Sequence, residues 1–283
     1  MGQRRDLAGK RMLITGASQG IGRALALAAA RKKAKLILTA RSADLLQALA
    51  DELKKANAEF ITVTGDVTSP ADRQRMVQAA VDHFGGLDIL VNNAGIGATG
   101  HFSDATEERL RSVFEVNFFG LAEMMRLAIP VLRHGVAPLI VNVSSIVGKR
   151  AVPSRSEYSA SKYAVQGLSE AVRGELVRYR IELITICPGL TATNFPKNML
   201  ENKAKWPLDH TRSMTPEQVA DASLRAMEKG KRELLLTFNG RLLVLLNRLF
   251  PGFVDWMMAR KVRQVYENEI AERAQREKER LLS

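Results

Sequence analysis

The stretch Arg11-Met-Leu-Ile-Thr15-Gly-Ala-Ser-Gln-Gly-Ile-Gly22 decides the architecture. A short apolar run feeds directly into a glycine-rich turn, and the turn opens a helical pattern that continues from Ile21 to Lys32. Glycines between a strand and a helix permit a tight turn and let the backbone approach a pyrophosphate at the positive end of the helix. Gly16, Gly20 and Gly22, with Ser18, Gln19 and Ile21 between them, are therefore expected to bind a dinucleotide cofactor. The spacing is not Gly-x-Gly-x-x-Gly, so the expectation rests on the flanking strand and helix rather than on that fingerprint.

Outward from this turn the same alternation repeats. Lys35–Thr39, Phe60–Thr64, Leu87–Val91, Leu139–Val143, Glu182–Ile186 and Glu233–Thr237 are further short apolar runs, which makes seven expected strands with the first. Helical patterns lie between them over Ile21–Lys32, Ala43–Asn57, Ala71–His83, Glu107–Arg133, Glu157–Tyr179 and Pro216–Lys229. Strands that are apolar throughout and separated by helices are buried on both faces, which means an α/β fold with a doubly wound, parallel, seven-stranded sheet. Ser69-Pro70-Ala71-Asp72 and Thr215-Pro216-Glu217-Gln218 read as helix starts. We divide the chain into a cofactor-binding and catalytic domain, residues 1–238, and an amphipathic helical C-terminal extension, residues 239–283.

Composition bounds the function. With 283 residues, 46% of them hydrophobic, the chain can bury one large core. The single Cys187 excludes an internal disulfide and suits a reducing cytoplasm, where a small buried side chain is its expected role. His83, His101, His134 and His210 lack ligand spacing, so no metal is expected. The opening Met1-Gly2-Gln3-Arg4-Arg5-Asp6 carries no apolar run, and Asp6 stands where a myristoylation signal needs Ser or Thr. A cytoplasmic location is the expectation. The formal charge of +12 is uneven: residues 1–60 hold 12 Lys/Arg against 5 Asp/Glu, residues 231–263 hold 7 against 2, and the remainder is neutral. Such a surface suits a polyanionic cofactor, an acidic carrier or an anionic membrane.

Tyr158 and Lys162, one helical turn apart in Tyr158-Ser-Ala-Ser-Lys162, propose a reaction. A tyrosine needs a downward shift of about 3 units, roughly 4 kcal/mol, to exchange protons near neutrality. An ammonium about 5 Å away supplies roughly 3 kcal/mol at an effective dielectric of 20. The pair therefore suggests redox chemistry on a carbonyl or alcohol, with Lys162 read as a permanent cation. At the end of the second strand, Arg41 offers a cation to a 2′-phosphate and Ser42 a hydroxyl, where an NAD-binding chain would offer a carboxylate to the ribose. NADP(H) is the expected cofactor.

Taken in order, Thr15-Gly-Ala-Ser-Gln-Gly-Ile-Gly22, Asn92-Asn-Ala-Gly95, Asn117, Ser145, Tyr158-x-x-x-Lys162 and Pro188-Gly189 resemble the short-chain dehydrogenase/reductase family over roughly residues 8–238, and with it a Rossmann-like fold. The resemblance implies that Tyr158 is the general acid/base and that Lys162 lowers its pKa and holds the nicotinamide ribose. It implies that Ser145 polarises the substrate oxygen and that Asn117 supports a proton relay reaching Lys162. Asp66 and Val67 match the adenine contact, and Asn93, Ala94 and Gly95 match the adenosine-side ribose and the floor of the site. Pro188, Gly189, Thr191 and Thr193 match the segment that fixes the carboxamide. Ser144 rivals Ser145, Asn117 could instead bond a helix carbonyl, and Gln19 departs from the Lys or Arg of many NADP-dependent members.

Between Pro188 and Thr215 a long segment without clear periodicity carries Phe195, Met199, Leu200 and Trp206, either an apolar lid over the substrate or core packing. In the extension, the run Gly240 to Met258 joins an apolar surface to Arg241, Arg248, Arg260 and Lys261. It suits a helix on an anionic membrane, a cover for a hydrophobic channel, or packing in a homodimer or homotetramer; its longest aliphatic run, Leu242 to Leu246, is far short of the roughly 20 residues that span a bilayer. This extension resembles those of lipid- and steroid-ketone reductases, which implies a hydrophobic carbonyl substrate. The alternatives are a 3-oxoacyl thioester on a carrier protein, and a non-catalytic NADP-binding regulator or scaffold. Nucleic acid is not expected as a partner.

Overall fold

The computed structural model describes residues 2–203 and 213–272. Its strands are β1 (Arg11–Thr15), β2 (Lys35–Ala40), β3 (Phe60–Thr64), β4 (Ile89–Asn92), β5 (Leu139–Val143), β6 (Glu182–Cys187) and β7 (Glu233–Leu235). All pair in parallel, in the order β3-β2-β1-β4-β5-β6-β7. The chain moves outward from β1 to β3 and then crosses back to lay β4 against the other side of β1. The crevice where the order reverses lies beyond the carboxyl ends of β1 and β4, the position at which open α/β sheets bind ligands.

The helices are α1 (Gly20–Arg31), α2 (Ala43–Lys55), α3 (Pro70–Phe84), α4 (Glu107–Phe114), α5 (Gly120–Leu132), α6 (Ser156–Leu176), α7 (Pro216–Glu228), α8 (Phe238–Leu249) and α9 (Pro251–Val265). Strand alternation sorts the core into two layers. Met12, Ile14, Leu36 and Leu38 pack with Leu25 of α1, Leu46 of α2 and Leu224 of α7 on one face. Leu13, Ile37, Leu90 and Ile140 pack with Met76 of α3, Met124 of α5 and Val165 of α6 on the other. Because both faces are covered, the strands read as unbroken apolar runs rather than as an apolar/polar alternation. Cys187, at the end of β6, is buried and accepts a hydrogen bond from Gln166 Nε2 at 2.9 Å; burial pushes its thiol up to about 12.

Two elements differ from the sequence reading. The single helix expected over Glu107–Arg133 is broken into α4, a π turn at Glu115–Phe119 and α5. The extension forms two helices rather than one because Pro251 cannot continue α8 and instead opens α9. There is no linker before it: β7 is followed within two residues by Thr237, whose hydroxyl caps α8 by accepting from Gly240 N at 3.2 Å. At the other end of the chain, buried Arg5 donates to Met227 O at 2.9 Å, Ala137 O at 3.2 Å and Glu182 Oε2 at 2.7 Å, clasping the carboxyl end of α7 to the start of β6.

Candidate active site

The glycine-rich turn closes against the end of β4. Gly16 and Gly20 take φ of +64° and +52°, a left-handed conformation that glycine adopts without steric cost. A Cβ on Gly22 would lie 2.2 Å from Gly16 O, so α1 can sit this close to the turn only with glycine there. Thr15 Oγ1 accepts from Asn93 N at 3.0 Å and Ala94 N at 3.1 Å, while Asn93 Nδ2 donates to Thr15 O and Gly16 O, both at 3.0 Å. The Asn93 amide is thus spent on bracing the turn.

Helix ends around the crevice are left open. α3 and α7 are capped by Ser69 and Thr215, the latter in a full capping box with Gln218. The N-cap residues of α1 and α2, Gln19 and Ser42, make no such bond, and α1 has no acidic residue in its first turn. Free N–H groups at a helix N-terminus form an anion site, and here two of them stand beyond β1 and β2, the second with the carboxylate of Asp44 in its first turn. Ser18 and Ile21 are half-buried beside the first of these. Arg41 lies beside the second, largely exposed, with Nη1 3.8 Å from Asp66 Oδ2. Asp66 Oδ1 accepts from Thr68 N at 2.8 Å, and Val67 is buried with Ile96 and Val116.

Tyr158 and Lys162 share one face of α6, with Lys162 Nζ 5.8 Å from the centre of the Tyr158 ring. Lys162 is buried, and its ammonium donates to Val143 O at 3.0 Å, leaving two further donors on the nitrogen. Gly95 forms the floor: a Cβ there would stand 3.1 Å from Asn117 Oδ1 and 3.6 Å from Lys162 Nζ. Asn117, in the π turn, accepts from Ile96 N at 2.8 Å and donates to Ile96 O at 2.9 Å and Ser161 Oγ at 3.0 Å. Its side chain therefore ties the π turn to the β4 loop and to α6.

Of the two adjacent serines, Ser144 is buried and donates to Lys162 O at 3.2 Å, so it supports α6 from below. Ser145 caps the turn Ile146–Gly148, donates to Pro188 O at 3.4 Å and favours the ionised form of the Tyr158 phenol. The geometry separates what adjacency in sequence left open. Electrostatically the pair differs from the sequence reading. Burial pushes the Tyr158 phenol above its ordinary value, against the opposing pull of Ser145 and of the Arg155 guanidinium. Burial also brings Lys162 down to about 8, so it is not a permanent cation. Arg155, which the sequence reading passed over, supplies the positive charge that acts on the phenol.

Above the site, the Phe195 ring lies 5.6 Å from the Tyr158 ring, and Phe195 and Met199 cover Gly97. Leu200 N donates to Gly97 O at 2.9 Å, and Asn202 bridges to Thr99. Leu200 is itself about half exposed, and Trp206 lies outside the described residues. Thr193 packs on Gly20, and Asn198 Nδ2 donates to Gln19 Oε1 at 3.2 Å, so this segment also crosses the glycine-rich turn. Its far end is tied down by Arg109, which bonds Glu201 with one nitrogen and donates to buried Glu157, the neighbour of Tyr158, at 2.8 Å with another. Gly189 packs against Thr237, and Thr191 Oγ1 donates to Gly189 O at 3.2 Å.

The short chain dehydrogenase family model matches residues 10–204. This chain belongs to the short-chain dehydrogenase family. It is 35% identical to an uncharacterized oxidoreductase, YxnA, of Bacillus subtilis, over 93% of this chain and 74% of that one. It is 30% identical to the ketoacyl reductase HetN of Nostoc over 88% of each. Among solved structures it resembles a short-chain dehydrogenase/reductase from Burkholderia phymatum in complex with NAD, at 28% identity and a TM-score of 0.81, covering 88% of this chain and 96% of that one. It also resembles a short-chain dehydrogenase from Burkholderia cenocepacia in complex with NADP, at 26% identity and a TM-score of 0.76, covering 90% and 99%. A nicotinamide cofactor and oxidoreductase chemistry on a CH–OH group follow from membership, and the open N-termini of α1 and α2 fit a dinucleotide's phosphates.

Proposed function

We propose that this short-chain dehydrogenase is NADP(H)-dependent and interconverts a hydrophobic ketone with its alcohol. The observation that carries the reading is the convergence of Tyr158, Ser145 and Lys162 under the Phe195 ring. When bound, a reduced nicotinamide supplies the hydride to the carbonyl carbon. Tyr158 gives its hydroxyl proton to the carbonyl oxygen, and Ser145 holds that oxygen by a second hydrogen bond. The phenolate left behind is stabilised by Arg155 and by protonated Lys162, whose remaining donors would hold the cofactor's ribose hydroxyls. Asn117 keeps the floor of the site in register.

Preference for NADP(H) is supported by Arg41 beside the open N-terminus of α2, where a 2′-phosphate would find a cation and backbone donors. A hydrophobic substrate is supported by Phe195 and Met199, which offer it no charge. Likeness to a ketoacyl reductase favours a second reading, a 3-oxoacyl thioester.

The test is NADPH oxidation against long-chain ketones, steroid ketones and 3-oxoacyl thioesters, with Tyr158→Phe as control. Ketone turnover reduced by about 10²–10⁴-fold in the variant, with NADPH still bound, is the expected result. Turnover of thioesters alone would favour the second reading, and tight NADPH binding without turnover of any substrate would favour a regulator.

A further inference from the structure

The extension turns its apolar side outward. Phe238, Leu242, Leu245 and Leu249 recur at the spacing of one helix face on α8, and the row continues through Phe250 to Phe253 and Trp256 on α9. All seven are between 43% and 77% exposed, whereas Gly240 is the buried residue of α8 and Val254 that of α9. A row of this length is more than the scattered surface leucines of an ordinary soluble domain. Phe253 and Trp256 stack at 6.0 Å, and the Arg260 guanidinium lies 5.7 Å from the Trp256 ring.

The charges of α8 and α9 are predominantly of one sign. Between Phe238 and Val265 stand Arg241, Arg248, Arg260, Lys261 and Arg263 against the single carboxylate Asp255. Asp255 is engaged by the chain's own Arg150 at 2.7 Å. We propose that α8 and α9 form a docking face for an anionic phospholipid surface. Phenylalanine, leucine and tryptophan side chains enter the boundary between headgroups and acyl chains, and the flanking cations meet the lipid phosphates. A second copy of the chain fits this face less well. A twofold interface would set the same patch against itself and bring five cations opposite five. Among the described residues no helix is long and apolar enough to cross a membrane, so the face lies on the surface rather than through it.

The face is fastened to the rim of the candidate active site. A Cβ on Gly240 would stand 2.9 Å from Ile146 Cδ1, one residue beyond Ser145. Arg150 Nη1 donates to Asn247 Oδ1 at 3.0 Å, and the Tyr266 hydroxyl bonds Ser154 Oγ at 2.8 Å, four residues before Tyr158. Docking would therefore bring the substrate side of the site to the lipid. This deepens the hydrophobic-ketone reading, on which it rests only for naming the lipid as the place where substrate is collected.

The experiment uses the full chain with NADPH bound and compares co-sedimentation with vesicles of phosphatidylcholine alone and of phosphatidylcholine mixed with phosphatidylglycerol. Turnover of a short, water-soluble ketone and sedimentation velocity are measured in parallel. The expected result is binding to the anionic vesicles alone, weakened by salt, and reduced at least tenfold in a Leu249→Ser, Phe253→Ser double variant whose soluble-ketone turnover is unchanged. Equal partitioning of wild type and variant, or a variant that loses only self-association, overturns the proposal. Vesicle binding without turnover of any ketone would sink the enzymatic reading and leave the docking face standing.

Discussion

Burial acts on Tyr158 and Lys162 in the direction that favours the neutral form of each. Lys162 falls from an ordinary 10.5 to about 8. Between those values the unfolded chain keeps the proton and the folded chain does not, so stability rises with pH across that window, and the cost of burying the cation is felt in full below it. Tyr158 has the opposite sign: its raised value means that stability is lost as pH climbs past about 10. For catalysis, kcat/KM for ketone reduction should decline as pH rises through about 8, where Lys162 loses its charge. A pH profile flat to 10 would exclude that assignment. Arg41→Asp should raise the KM for NADPH by at least tenfold while leaving NADH much less affected, measured with both cofactors on one substrate. The Tyr158–Lys162 pair was legible because its logic is local, four residues on one helix. Arg155 was not, since its influence on the phenol depends on how the loop before α6 folds. Ser144 and Ser145 were inseparable until β5 had a direction.

Strands and most helices were legible from the apolar runs and from the caps at Ser69 and Thr215, because a sheet covered on both faces leaves a simple pattern. The π turn at Glu115–Phe119 was hidden: a one-residue bulge leaves the helical periodicity on either side intact. The lid's anchorage was equally invisible, since Arg109, Glu157 and Glu201 are far apart in the chain. One buried guanidinium there joins three elements, α4, the start of α6 and the lid. Arg109→Met strands Glu157 as an unpaired buried charge and should cost about 3–5 kcal/mol. Adding Glu157→Leu should restore part of that loss. Thermal melts of the single and double variants check both statements, and additive losses would show that the two residues do not act as a pair.

At the scale of the molecule, the parallel, doubly wound sheet followed from alternation, but its strand order and the placing of the two ends of the chain did not. The basic excess of residues 231–263 was readable as composition, while the outward turn of the apolar row on α8 and α9 depends on which face the catalytic domain covers. Likewise nothing in Arg4-Arg5 as a sequence marks one of them as buried, yet Arg5 is buried in a clasp between β6 and α7. Arg5→Ala should lower the melting temperature through lost hydrogen bonds to three acceptors, one of them the charged Glu182.

The clasp also sets an order of events during synthesis. Arg5 leaves the ribosome well before its acceptors Ala137, Glu182 and Met227, which emerge progressively later. A nascent chain halted before Met227 should keep the segment around Arg5 open to protease, and release of the finished protein should protect it. The segment around Arg5 is therefore among the last parts of the catalytic domain to be secured, and stalled-chain proteolysis would show when it locks.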